Sequence, residues 1–201
     1  KDFSKKPIKL SSGNLSHREF AALAAEKGII IGRTPITTAL APGTKDASPV
    51  PSDSLCYQQK RLLVKSISSS DTMIFVNDPK HLEEIASWEG HAKDLNMVKI
   101  GKELIHYMGV SEKSPYRLLN VKRGYWKTNQ SPHTAGDTIY KLQVTINYGY
   151  DGLIPNMQLQ DEIAKWYAAV CSINGLAYYD FDGQEFLFNN GHGYYAAKRF
   201  F

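Results

Sequence analysis

The sequence predicts an α/β protein: a partial (β/α) barrel-like body interrupted by an inserted all-β module. Three observations lead there. A helix-start signal, a helical pattern and a glycine stop run directly into Ile29-Ile30-Ile31-Gly32, which has the form of the αβ half of a βαβ unit. A second helix-to-strand passage, from Asn156 to Tyr179, closes the chain in the same style. Between them the hydrophobic period shortens to brief strands punctuated by Gly, Asp, Asn and Pro. The expected divisions are 1–61 for the first part of the body with a long loop, 62–142 for the β module, and 143–201 for the second part of the body.

Residues 1–15 are polar and irregular, with Ile8-Lys9-Leu10 as the end of a strand. Ser16-His17-Arg18-Glu19 has the pattern of a capping box, in which hydroxyl and carboxylate satisfy backbone donors that a first helical turn leaves free. Phe20, Leu23 and Ala24 mark the buried face of the helix that follows, and Gly28 suits the left-handed residue that ends it. The β-branched Ile29–Ile31 run then reads as a strand buried on both faces. Residues 33–54 are rich in Thr, Pro, Ser and Gly and show no period. A loop of that length at the exit of a core strand points to function, which brings in Arg33, Thr34, Thr37 and Asp46, although a plain surface loop has the same composition.

In the middle region, Thr72–Val76, Met97–Ile100, Glu103–Tyr107, Tyr116–Val121 and Thr138–Leu142 read as short strands. After them, 143–148 can be another strand with 149–152 as its exit loop. Leu159, Ile163, Trp166, Tyr167 and Val170 follow helical spacing from Asn156, and Asn174-Gly175 stops that helix. Two buried strands with their helices cannot close a barrel, which needs about 250 residues before any insert. With Lys rather than Met at position 1, the expectation is a piece of a longer parent chain.

Composition bounds the function loosely. A net charge of +4 with scattered basic residues does not imply nucleic acid. No stretch approaches the roughly 18 apolar residues of a membrane span. Two cysteines, Cys56 and Cys171, make neither a disulfide framework nor a zinc site and are expected free. Twelve Tyr and three Trp exceed what a core needs, and amphipathic rings suit a sugar-binding cleft.

The chemistry concentrates at Gly175-Leu-Ala-Tyr-Tyr-Asp-Phe-Asp-Gly-Gln-Glu185, where an apolar strand runs into three acids. The C-terminal ends of parallel strands are where such folds build sites. Asp180, Asp182 and Glu185 are the catalytic candidates, and Asp182 with Glu185 is the preferred pair for glycoside hydrolysis. Asp182 would be the ionised partner and Glu185 the acid, its pKa raised by Phe181 and Phe186. The same residues also fit a turn, a helix cap and a solvated acid. No cofactor is expected, although three hard-oxygen ligands could hold calcium. Arg33, Thr34, Tyr148, His192 and Tyr194 are the substrate-binding candidates; His192 or Tyr148 with Arg33 would serve a lyase acting on a uronate.

Ile100-Gly-Lys-Glu103, the tyrosine-bearing run Tyr116–Gly124 with Arg123-Gly124, and His133-Thr-Ala-Gly136 resemble a β module found in phage tail proteins and inserted in some bacterial carbohydrate-active proteins. Within it, Glu103, Arg123 and His133 are expected to pair or to cap turns. The whole arrangement, including Gly32-Arg-Thr-Pro35, Pro49-Val-Pro51, Phe181-Asp-Gly-Gln-Glu185 and Gly191-His-Gly-Tyr194, resembles a group of gut-bacterial carbohydrate-active enzymes with a barrel-like body. The chain departs from that pattern at Arg33, where a His is expected. The resemblance implies a polysaccharide or oligosaccharide substrate and a periplasmic, cell-surface or secreted location. A non-catalytic glycan-binding module is the reading from outside enzymology.

Overall fold

The computed structural model describes residues 7–10, 13–34, 39–84, 92–147, 150–180 and 193–200. Its contacts divide the chain into two units, one made of residues 1–38 and 157–201 and the other of 39–156. These boundaries differ from the expected 61/62 and 142/143.

The first unit opens with an antiparallel pair, β1 (Ile8–Leu10) and β2 (Gly13–Leu15), followed by α1 (His17–Glu26). The capping box forms as the sequence dictates: Glu19 N–H donates to Ser16 Oγ at 3.2 Å, and Ser16 N–H donates to the Glu19 carboxylate at 2.7 Å. Gly28 takes the left-handed φ of +71° that lets the chain turn out of the helix. The strand that follows, β3 (Gly32–Arg33), is only two residues long.

The second unit carries β4 (Tyr57–Leu62), β5 (Met97–Ile100), β6 (Glu103–His106), β7 (Gly109–Val110), β8 (Leu118–Leu119), β9 (Thr138–Leu142), β10 (Val144–Asn147) and β11 (Tyr150–Leu153). Its main sheet has the order β4-β9-β5-β6, antiparallel throughout. The core on one side of it is Leu63, Ile67, Ile74, Val76, Leu82, Val98, Ile100, Ile105, Tyr107, Leu118 and Ile139. Six of these eleven residues lie outside the named strands, so the module is closed by packed loops as much as by sheet. Residues 39–56 belong to this unit and are not an open loop: Ala47, Leu40 and Leu55 are buried, and Leu40 and Leu55 bridge to Leu153 and Pro155.

The chain then returns to the first unit with α2 (Met157–Asn174), β12 (Tyr178–Tyr179) and α3 (Gly193–Phe200). Helix α2 buries Leu159, Gln160, Val170 and Asn174, and Asn174 Nδ2 donates to the Val170 carbonyl at 2.7 Å.

The expected barrel-like α/β body is overturned. Small antiparallel sheets dominate, with 26% helix and 28% strand, and three α-helices among the described residues. Parallel pairing is confined to β3 and β12 among those residues. Two features of the chain explain the difference. The segment expected to leave the body as a parallel strand, 143–148, instead folds back on itself as the β10–β11 hairpin, with Val144 opposite Leu153 and Asn147 opposite Tyr150. The Ile29–Ile31 run does not form a buried strand either: Ile29 and Ile30 are 56% and 68% exposed.

Candidate functional site

Among the described residues, predicted candidates meet at the end of the parallel pair. In β3 and β12, Gly32 lies opposite Tyr178 and Arg33 opposite Tyr179. Ala177 N–H donates to the Ile31 carbonyl and Asp180 N–H to the Arg33 carbonyl, both at 2.9 Å. Both strands therefore exit at one edge, where Thr34 and Asp180 come next and are solvent-exposed.

Alternation sorts the side chains between faces. Tyr178, Asp180, Gly32 and Thr34 share one face, and Arg33 belongs to the other. On the shared face the Tyr178 ring lies over Gly32: a methyl group at position 32 would stand 2.5 Å from Cε2 and Cζ of that ring. Only glycine allows this approach. One ring face is thereby held against backbone while the side chain stays 54% exposed. On the other face, the Arg33 charge acts on Tyr167 of α2. Burial pushes the Tyr167 phenol above its ordinary pKa, and the guanidinium draws it part of the way back.

Of the predicted residues, Asp180 and Thr34 are thus brought together, and Arg33 is their neighbour along the edge but faces away. Tyr194 is elsewhere in its unit, on α3, with Lys198 Nζ 4.8 Å above its ring. That helix is tied to α2 by Arg199, whose Nε and Nη2 meet the two Asp161 oxygens at 2.7 and 2.6 Å. Asp182, Glu185, Tyr148 and His192 lie outside the described residues. No group of three or more His, Cys, Asp or Glu able to hold a metal ion occurs among the described residues.

Sequence reasoning treated Tyr178 only as a strand former and gave Gly32 no role. The signal was available: a glycine inside a strand pattern marks a bulge or a close approach.

The second unit holds a different polar cluster, and its geometry is that of a structural device. Glu103 is fully buried and takes five hydrogen bonds: from Arg123 Nε at 2.7 Å and Nη2 at 2.8 Å, from the backbone N–H of Gly124 at 2.9 Å and of Ser131 at 3.1 Å, and from His133 Nε2 at 2.9 Å. Arg123 spends its remaining donors on the carbonyls of Ser68, Asp71 and Ser131. All five guanidinium N–H groups find acceptors, and the pair cross-links three loops. These residues pair and fix turns within the module, the role expected of Glu103, Arg123 and His133.

No family model, curated protein or solved structure matches this chain. Its chemistry is therefore read from its own residues. No helix among the described residues is long and apolar enough to cross a membrane.

Proposed function

We propose that the chain is a carbohydrate-active protein that hydrolyses a glycan at the exit of β3 and β12. The observation that carries this is the Tyr178 ring seated on Gly32, with Asp180 next along the same face. A ring with one face braced by backbone and the other open offers a flat apolar surface to the C–H face of a sugar, at little cost in side-chain entropy. Asp180 and Thr34 beside it are hydrogen-bonding partners for sugar hydroxyls.

Hydrolysis needs two carboxyls flanking the glycosidic bond, about 5 Å apart for retention or about 6.5–9.5 Å for inversion. From the sequence, Asp182 is the candidate for the ionised partner and Glu185 for the acid, with Asp180 hydrogen-bonding the sugar beside the Tyr178 ring. Thr34 borders the substrate path on the same face, with Arg33 behind it on the opposite face.

The test is product release from a panel of neutral and uronate-containing polysaccharides, comparing the parent with Asp182→Asn, Glu185→Gln and Tyr178→Ala. New reducing ends that Asp182→Asn abolishes, and that Tyr178→Ala reduces mainly through KM, support the reading. Products carrying an ultraviolet-absorbing double bond would replace it with a lyase. Retention on a glycan column with no product from any polymer would replace it with a binding module.

A further inference from the structure

The outer face of the main sheet carries an arrangement that the core does not require. Register sets Lys60 of β4 and Lys99 of β5 on either side of Tyr140 of β9, so the three form one cross-strand row. The register shift between Tyr57 and Gln59 brings Tyr57, opposite Leu142, onto the same face next to that row. Its ring meets that of Tyr140 edge to face, with centroids 5.1 Å apart. Lys60 Nζ stands 5.0 Å from the Tyr57 centroid and 5.6 Å from that of Tyr140, and Lys99 Nζ is 5.4 Å from Tyr140.

Charge at this face is unbalanced. Lys99 is 7% exposed and threads beneath the rings until its ammonium reaches Asp53 at 2.7 Å. Lys102 takes the other Asp53 oxygen at 2.6 Å. Those two hydrogen bonds, Lys102 first, hold the Asp53 carboxyl down to about 2, so it is ionised throughout the neutral range. Lys60 has no carboxylate partner among the described residues. Three ammonium groups therefore answer to one carboxylate beside two tyrosine rings, of which Tyr57 is 45% exposed.

Stability does not account for this. A buried lysine reaching an exposed partner contributes little, and an apolar side chain in its place is often neutral or better. What the buried Lys99 does achieve is a fixed Asp53, which in turn holds the Lys102 ammonium beside the rings, so that little entropy is lost there when a ligand arrives.

We infer that the Tyr57–Tyr140–Lys60–Lys102 face is a binding site for an acidic sugar residue, one bearing a carboxylate or a sulfate. The exposed Tyr57 ring takes the C–H face of the pyranose on the side away from Lys60, Tyr140 braces it edge to face, Lys60 and Lys102 take the anionic group, and Asp53 accepts from a sugar hydroxyl while holding the Lys99 and Lys102 ammoniums in place. Edge-to-face rings leave no pair of parallel platforms for successive bases, which favours a sugar over single-stranded RNA. This site shares the expectation of a glycan with the strand exit but none of its residues. Product release reads the strand exit and retention reads this face, so either can fail alone.

The experiment is affinity electrophoresis of the full 201-residue chain in gels carrying polygalacturonate, dextran sulfate or neutral dextran. The acidic polymers should retard the parent, with retardation falling as salt rises, and neutral dextran should not. Lys60→Ala combined with Lys102→Ala should weaken retention about tenfold or more, since two charge-assisted contacts are lost. Tyr57→Ala should also weaken it. Lys113→Ala with Lys165→Ala removes the same charge elsewhere and should leave retention unchanged. Undiminished retention of the Lys60/Lys102 variant, equal loss in the Lys113/Lys165 variant, equal retention in neutral dextran, or tighter binding of single-stranded oligo(U) RNA at the same salt would each overturn the inference. Matching circular dichroism spectra and melting midpoints confirm that the variants are folded.

Discussion

Replacing Glu103 by Gln keeps the size and shape of the side chain and removes its charge. The amide offers one acceptor oxygen where the carboxylate had two. If that oxygen stays with Arg123 Nη2, Ser131 N–H and His133, the new NH2 group faces Arg123 Nε and the Gly124 N–H, donor against donor. The Arg123 guanidinium, 2% exposed, is then a buried charge without a counter-charge. Breaking one side of a buried pair costs about 3–5 kcal/mol. Against a domain stability of about 5–15 kcal/mol this is a large fraction. For a unit of roughly 100 residues it corresponds to a fall in melting midpoint of the order of 10–25 °C.

The assay is thermal unfolding followed by Trp126 fluorescence, in a background with Trp88 and Trp166 replaced by Phe. A pH series adds a second check. Burial pushes the Glu103 pKa up, but the hydrogen bonds from Arg123, His133, Gly124 and Ser131 outweigh it and hold the group below its ordinary value of 4.5. A depressed folded pKa gives stabilisation that is fully present above 4.5 and is lost as pH falls through the folded value. The parent should therefore lose stability in acid by an amount that Glu103→Gln lacks. A midpoint for Glu103→Gln within about 3 °C of the parent at neutral pH would refute the reasoning.

Three further outcomes follow from the same geometry. Gly32→Ala sets a methyl group where the Tyr178 ring rests and drives that half-exposed ring off the backbone into solvent, so urea denaturation should detect less than about 1 kcal/mol, while the glycan turnover proposed for the strand exit should fall sharply. Lys141 is buried with its ammonium 3.2 Å from Glu84 and 2.9 Å from the Leu95 carbonyl. Glu84→Ala should therefore lower the urea midpoint more than Lys141→Met does, because only the former strands a buried charge. Ser16→Ala removes the hydroxyl half of the capping box and should cost about 1 kcal/mol, with amide exchange rising across the first turn of α1.

Local chemistry was legible where it is self-contained. The capping box, the Gly28 stop, the strands at Met97–Ile100, Glu103–His106 and Thr138–Leu142, and the helix from Met157 to Asn174 all rest on signals within a few residues. What failed needed information from outside the window. A run such as Ile29–Ile31 announces apolar side chains but not whether anything covers them, and here little does. The 143–148 segment is as good a hairpin arm as a parallel strand, and only its pairing with 150–153 decides. The Thr/Pro/Ser/Gly composition of 33–54 gave no hint that Ala47 would be fully buried, because small residues pack closely without showing a period. At the strand exit, Asp180 and Thr34 were found by their position after a strand. Which face each takes depends on a register that the sequence alone does not state, and that register turned Arg33 away from them.

The way residues 39–156 begin and end has a consequence for engineering. Leu40 and Leu153 exchange backbone hydrogen bonds at 2.8 and 3.0 Å, Cys56 N–H reaches Ile154 O at 2.8 Å, and Asn156 N–H reaches Ser54 O at 2.8 Å. Entry and departure are stitched side by side, so the two ends of the unit lie close together. A linker of a few Gly and Ser residues is long enough to bridge the stitched ends, which makes the module a cassette to be cut out, moved into another scaffold or exchanged.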